Sequence, residues 1–235
     1  MKTSAVILSG GRGSRMKSET PKQYLNLCGY PVIYYALRTF EKSSVDEIVL
    51  VCGRGDQEYC QKEIIEKYGF RKVIAVTEGG KERYHSVCQG LYACREPDFV
   101  LIHDGARPLL TVSLIEQCMK AVREGCGCVP GLPVKDTIKI AGADGMVKET
   151  PDRKALYAIQ TPQAFPYPVI RRAYEKLLSM EDKEQQSLGI TDDAMAAEKL
   201  LCCPVRIIEG DNENLKITTP EDLMIAERIL RTRDE

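Results

Sequence analysis

Arg12, Arg15, Lys17 and Lys22 put four cations into eleven residues, in and just behind the run Leu8-Ser9-Gly10-Gly11-Arg12-Gly13. Gly10, Gly11 and Gly13 let the backbone turn tightly and bring bare N–H groups close to a ligand. Backbone donors beside mobile cations suit a polyanionic phosphate chain. Two common phosphate loops do not fit. A dinucleotide fingerprint needs a glycine or alanine where Met16 stands, and a carboxylate at the end of the second strand, which reads Leu50-Val51-Cys52-Gly53. These absences argue against a nicotinamide-dependent oxidoreductase. A Walker loop ends in Gly-Lys-Ser/Thr, and this stretch has no such ending. What remains is a phosphate loop that carries its own arginine, Arg15, and seven residues on a lysine, Lys22.

The elements around this loop follow from hydrophobic patterning. Apolar runs at 5–8, 47–52, 73–76, 99–102, 126–129 and 205–208 read as strands, the fully apolar 47–52 as one buried on both faces. Helices are predicted from Pro31, over 56–68, over 82–94, after a Thr111 cap, over 168–180, from Thr191-Asp192-Asp193 and from Thr219-Pro220. Residues 181–189 read as a polar loop. Buried strands alternating with helices predict an α/β fold, a Rossmann-like doubly wound and mostly parallel sheet. Ligands of such sheets bind at the carboxyl ends of the strands. Three polar loops fall on that rim: Ser9 to Arg15, Glu78-Gly79-Gly80-Lys81 and His103-Asp104-Gly105-Ala106-Arg107. Asp104 closes the fourth strand, where a carboxylate can help hold Mg²⁺ across phosphate oxygens. His85 reads as a polar residue of a helix start rather than a catalyst.

The pattern breaks at 134–157. Residues 136–140 and 146–150 alternate polar and apolar side chains around Gly142-Ala143-Asp144-Gly145, a hairpin signal. A lone hairpin is marginal in water, so this protruding β-hairpin arm is expected to lie on something, with a second subunit favoured over the body of its own domain. The rest of residues 1–235 reads as one domain.

The net charge of −1 excludes a global field for nucleic acid or an anionic membrane. No apolar run approaches the ~18 residues of a membrane span. The start Met1-Lys2-Thr3-Ser4 lacks a signal-peptide pattern, so the expected location is cytoplasmic. The ten cysteines include no Cys-x-x-Cys, and several lie in apolar patterns. They are read as reduced core thiols, with no metal site among them.

Four motifs together resemble one family. They are the glycine loop with Pro21-Lys22-Gln23-Tyr24, the run His103 to Pro108, Gln160-Thr161-Pro162-Gln163, and Asn214-Leu215-Lys216-Ile217-Thr218. In this order, across nearly the whole chain, they are similar to 2-C-methyl-D-erythritol 4-phosphate cytidylyltransferases of the non-mevalonate isoprenoid pathway. The resemblance implies transfer of the cytidylyl group of CTP to a sugar-alcohol phosphate with release of pyrophosphate, a divalent cation such as Mg²⁺, and a homodimer whose arm reaches the partner's site. It assigns charge stabilisation in the transition state to Arg15 and Lys22. It assigns the acceptor phosphate and sugar to Thr137, Arg153, Thr161 and Lys216, with Arg107 nearby. Cytosine and ribose fall to Ser9, Gly10, Gly80, Lys81 and Ser86, with Gly11 and Gly13 in the loop and Asp104 near the sugar and the metal. The chain departs from the family at Ser9-Gly10, at Lys81 and at His85, which leaves base recognition largely to backbone groups. A ribitol-5-phosphate cytidylyltransferase shares the loop and the CTP chemistry. The runs Asp136-Thr137-Ile138-Lys139 and Asp152 to Tyr157 favour methylerythritol phosphate as the acceptor.

Overall fold

The computed structural model describes residues 1–11, 16 and 20–233. In chain order these form β1 (Thr3–Ser9), a 3-10 turn (Lys22–Tyr24), β2 (Asn26–Leu27), β3 (Tyr30–Pro31), α1 (Val32–Lys42) and β4 (Glu47–Cys52). Next come α2 (Gln57–Tyr59), which continues as a π-helical stretch over Cys60–Glu66, then β5 (Val73–Glu78), α3 (Arg83–Ala93), β6 (Phe99–Asp104), α4 (Val112–Val122) and β7 (Gly127–Pro133). The remainder is β8 (Ile140–Ala141), β9 (Val147–Glu149), β10 (Tyr157–Ile159), β11 (Gln163–Pro166), α5 (Tyr167–Leu178), α6 (Asp182–Leu188), α7 (Asp193–Leu201), β12 (Val205–Glu209) and α8 (Pro220–Arg233).

The main sheet has eight strands. β1 lies at its centre between β4 and β6, parallel to both, and β5 extends it beyond β4. β11 is antiparallel to β6 and to β7, so β7 runs in the common direction. Gly131 of β7 pairs with Ile159 of β10 and with Glu209 of β12, which therefore occupy opposite edges of β7. The predicted mostly parallel α/β sheet is thus observed, with two antiparallel strands, β10 and β11, inside it.

Side-chain alternation assigns each strand residue to one of two cores. Ala5, Ile7, Ile48, Leu50 and Leu101 face one side, with Leu37, Phe40 and Ile115 of α1 and α4. Val6, Val49, Val51, Val100 and Ile102 face the other, with Leu91, Ile170 and Ala197 of α3, α5 and α7. Helices on both faces explain why these strands read as continuous apolar runs. A third cluster, with Leu27, Val32, Leu109, Ile217 and Ala226, seats α8 against the start of α1.

Two sequence readings change. Residues 181–189 contain α6, with Asp182 and Glu184 in its positive first turn and Gly189 in the left-handed conformation at its end (φ 57°). The arm pairs over a shorter stretch than 136–140 with 146–150: the ladder joins Ile140 to Glu149 and Ala141 to Val147, turning at Gly145 (φ 79°). It forms a sheet of its own, and nearly all of residues 135–149 are exposed.

Candidate active site

Register forces the rim. Ser9 pairs with Cys52, Cys52 with Glu78, and Leu8 with Asp104, so β1, β4, β5 and β6 end side by side. Their following loops share one edge, and a cleft opens there, lined by Ser9, Gly10, Gly11, Lys22, Gln23, Gly80, Lys81, Arg83, Ser86, Asp104 and Lys216. A second lobe runs past Gly10 and Gly80 to Cys52, Gly53, Asp56 and Glu78.

Two glycines here are needed for close approach. A Cβ on Gly10 would stand 3.2 Å from the Cys52 carbonyl oxygen, and one on Gly80 would overlap the Cβ of His85. Gly79 N–H donates to Cys52 O at 2.8 Å, joining the β5 loop to β4. Gly80 N–H donates to Ser86 Oγ at 3.1 Å, which fixes the wall beside α3. His85 closes a capping box: Glu82 N–H donates to its Nδ1 at 3.2 Å while the Glu82 side chain receives the His85 N–H. The expectation of a helix-start residue is met.

The charged groups are held from far along the chain. Lys22 Nζ donates to Ile217 O at 2.8 Å, and Gln23 Nε2 donates to Ser9 O, tying the 3-10 turn to the end of β1. Lys216 Nζ meets Asp104 Oδ2 at 2.7 Å, and Arg83 Nε lies 3.7 Å from Asp104 Oδ1. Burial opposes charge on Asp104, but Arg83 and Lys216 outweigh it and hold the carboxyl well below the usual carboxylate range. Arg107 Nη1 donates to Asn214 O at 2.6 Å, and burial lowers the guanidinium from its ordinary value.

Behind Asp104 runs a buried polar chain. Asp104 N–H donates to Thr161 Oγ1 at 3.1 Å, Thr161 Oγ1 contacts His103 Nδ1 at 3.0 Å, and His103 Nε2 faces Arg107 O at 3.3 Å. A carbonyl only accepts, so Nε2 carries the proton. Nδ1 of the neutral ring then accepts from the Thr161 hydroxyl. Burial keeps the ring neutral, with its pKa pushed down to about 4.

The cleft therefore gathers Ser9, Gly10, Gly11, Lys22, Gly80, Lys81, Ser86, Asp104 and Lys216. Arg107 and Thr161 adjoin it through Asp104. Thr137 and Arg153 are exposed on or at the base of the arm, do not line the cleft, and Arg153 Nη1 donates to Lys135 O at 2.8 Å. Arg15 and Gly13 lie outside the described residues. Sequence reasoning missed Gln23 and Arg83. Gln23 lies inside a named motif and Arg83 two residues beyond another, but their partners, Ser9 and Asp193, are 14 and 110 residues away.

A mostly parallel α/β sheet whose rim gathers glycine backbone and ammonium groups suits a ligand with a phosphate chain, as a nucleotidyltransferase requires. The comparisons agree: a family model described as 2-C-methyl-D-erythritol 4-phosphate cytidylyltransferase matches residues 3–232, and the chain belongs to that family. A relative of that name from Lachnoclostridium phytofermentans is 47% identical over 234 residues, covering 100% of this chain and 98% of its own. A crystal structure titled 4-diphosphocytidyl-2C-methyl-D-erythritol synthase, from Anaerococcus prevotii, superposes with a TM-score of 0.82 at 34% identity, covering 98% of this chain and 96% of that one. The 2-C-methyl-D-erythritol 4-phosphate cytidylyltransferase of Thermus thermophilus gives a TM-score of 0.75 at 27% identity, over 96% and 98%.

Proposed function

We infer that the protein transfers the cytidylyl group of CTP to 2-C-methyl-D-erythritol 4-phosphate, giving 4-diphosphocytidyl-2-C-methyl-D-erythritol and pyrophosphate. The observation that carries this is the family match over residues 3–232, joined to a rim whose charges suit two anionic reactants. The acceptor phosphate attacks the α-phosphorus of CTP, and pyrophosphate leaves. Repulsion between the anions must be cancelled, and negative charge builds on the non-bridging oxygens. Catalysis is then positioning and charge stabilisation. The acceptor is already ionised, so no general base is required.

In this reading Lys22 meets the α- and β-phosphate oxygens, and Arg15 takes the charge that develops at the α-phosphorus. Gly10 and Gly11 offer backbone donors. The Ser9 hydroxyl donates to Val51 O (3.1 Å), and Ser86 Oγ receives Gly80 N–H while donating to Glu82 O at 3.4 Å, so base and ribose recognition falls mainly to the main chain near Gly80 and Lys81. Lys216 and Arg107 attract the acceptor phosphate, with Thr161 orienting Asp104 beside them.

Among the described residues no cluster of three or more His, Cys, Asp or Glu side chains forms a metal cage. The single ionised carboxylate of Asp104 fits Mg²⁺, which is commonly held by one or two carboxylates together with substrate phosphates and water. When bound there it would neutralise phosphate charge and orient the triphosphate.

Thr137 and Arg153 do not line this chain's own cleft, so in this reading the arm reaches the cleft of a second subunit in a homodimer. Ile138, Ile140, Met146 and Val147 of the arm are exposed and would gain cover in it. Ten free cysteines, six of them buried, suit a reducing compartment, and no helix among the described residues can cross a membrane. We assign the enzyme to the cytoplasm. The test of function is pyrophosphate release from CTP with Mg²⁺ and either methylerythritol phosphate or ribitol 5-phosphate. Turnover with the first is expected; turnover with the second alone would overturn the acceptor assignment.

A further inference from the structure

Arg83 lines the cleft, yet neither the sequence motifs nor the proposed chemistry uses it. It stands at the first residue of α3. Its Nη1 and Nη2 donate to Asp193 Oδ1 and Oδ2 at 2.8 and 2.7 Å, a forked pair. Asp193 is fully buried. Its carboxylate also receives the Tyr174 hydroxyl, and its own N–H and that of Ala194 donate to Gln163 Oε1 at 3.0 and 2.9 Å. The Tyr174 hydroxyl of α5 and the Gln163 side chain of β11 therefore fix Asp193, and Asp193 fixes Arg83. Swinging the guanidinium toward a ligand would strand a buried carboxylate, a strongly unfavourable event.

Lys216 differs in kind. Its side chain is 42% exposed, and it meets Asp104 through one ammonium contact at 2.7 Å. Asp104, with a side chain 14% exposed, thus has one immobile cation, Arg83 at 3.7 Å, and one mobile cation. If Lys216 turns to a ligand phosphate, Arg83 is the ion-pair partner that Asp104 keeps among the described residues, with Arg107 adding a weaker attraction from farther off.

We propose that Arg83, locked by Asp193, is a positioning residue whose fixed charge holds Asp104 in place when Lys216 leaves it to bind the acceptor phosphate. This rests on the reading of Lys216 as an acceptor contact. Without Arg83, Asp104 keeps a tighter hold on Lys216, and releasing it leaves a part-buried carboxylate unpaired. The penalty falls mainly on acceptor binding, because the Asp104 carboxylate that would hold Mg²⁺ beside CTP is itself still present.

The experiment measures kcat and both KM values by pyrophosphate release for the full-length wild type, Arg83→Gln and Arg83→Lys, with thermal melts to establish folding. Wild-type turnover of CTP and methylerythritol phosphate is checked first; its failure would remove the functional reading itself. Given that turnover, Arg83→Gln is expected to raise the acceptor KM about tenfold, equivalent to roughly 1.4 kcal/mol, with the CTP KM changed less than about twofold. Arg83→Lys keeps the charge without the fork, so its acceptor KM should fall between the two. A rise in CTP KM alone or an equal rise in both would overturn the proposal. So would a fall in kcat with both KM values unchanged, the signature of a merely structural residue. If Arg83→Gln does not fold, Arg83→Lys decides: an acceptor KM equal to wild type sinks the idea.

Discussion

His103 touches no substrate in this picture, yet it orders the residue that should. Its ring is fully buried, packs 5.5 Å from the Phe40 ring, and closes the chain from Asp104 N–H through Thr161 to Arg107 O. Burial lowers its pKa to about 4 from the ordinary 6.5. Below pH 6.5 the unfolded chain takes up a proton there that the native protein refuses, so stability falls with pH until about pH 4. That window is worth about 3 kcal/mol. The Asp104 carboxyl, held low, contributes stability above the ordinary carboxylate pKa, and this is lost only at lower pH. Urea unfolding of metal-free enzyme should show midpoints falling steadily from pH 7 to 5. His103→Gln should be less stable at pH 7 and show a flatter decline; an equal slope in both proteins would refute the assignment. At this scale the sequence is half legible. Lys22, Asp104 and Lys216 stand in short motifs whose charge alone suggests phosphate. The Arg83–Asp193 pair spans 110 residues, and nothing local to either residue announces the other.

α3 carries Arg83 and Ser86 into the cleft, so the distance between this helix and the sheet sets the wall. Gly90 makes that distance short. A Cβ there would overlap Val6 Cγ1 and stand 2.9 Å from Val51 Cγ2, both inside the core. Gly90→Ala must push α3 off β1 and β4, and overpacking of this kind costs about 1–3 kcal/mol. The displacement reaches the first turn of the helix, so the CTP KM should rise as the urea midpoint falls. Gly125→Ala is the control: Gly125 is at φ 93° with open space around its Cα, and the variant should lose about 1 kcal/mol with unchanged KM. If both variants leave KM unaltered, close approach of α3 does not set the wall. The helix over 82–94 was plain from the sequence, but an interior glycine there reads only as weak propensity. β10 and β11 escaped for a related reason. They have three and four residues, Pro162 stands between them, and what makes them strands is the vacant edges of β6 and β7. The segment containing α6 looked like a loop because a short, polar helix has little apolar periodicity to show.

At the scale of the whole molecule, the candidate residues divide into two groups. Lys22, Lys216, Asp104 and the glycine loops surround one cleft. Thr137 and Arg153 belong to an arm whose own ladder is two pairs long and whose apolar side chains face outward. One chain thus carries both halves of the proposed acceptor site without joining them, and two-fold symmetry offers a simple way to do so. The arm of each subunit would complete the other's cleft. This has a consequence that folding or stability alone cannot mimic. Lys22→Ala disables the body of a subunit, and Arg153→Ala disables its arm; each homodimer should be nearly inactive, by about 10²-fold for the loss of a charge stabiliser. In a mixed dimer one site pairs the two defects, while the other pairs an intact cleft with an intact arm. Random exchange makes half the dimers mixed, so about a quarter of all sites should regain wild-type turnover. The two variants are mixed, allowed to exchange subunits, and assayed for pyrophosphate release from CTP and methylerythritol phosphate. Recovery toward that fraction, growing with exchange time, is the expected result. No recovery, in a mixture shown to contain mixed dimers by tagging one variant, would mean that each arm serves its own cleft.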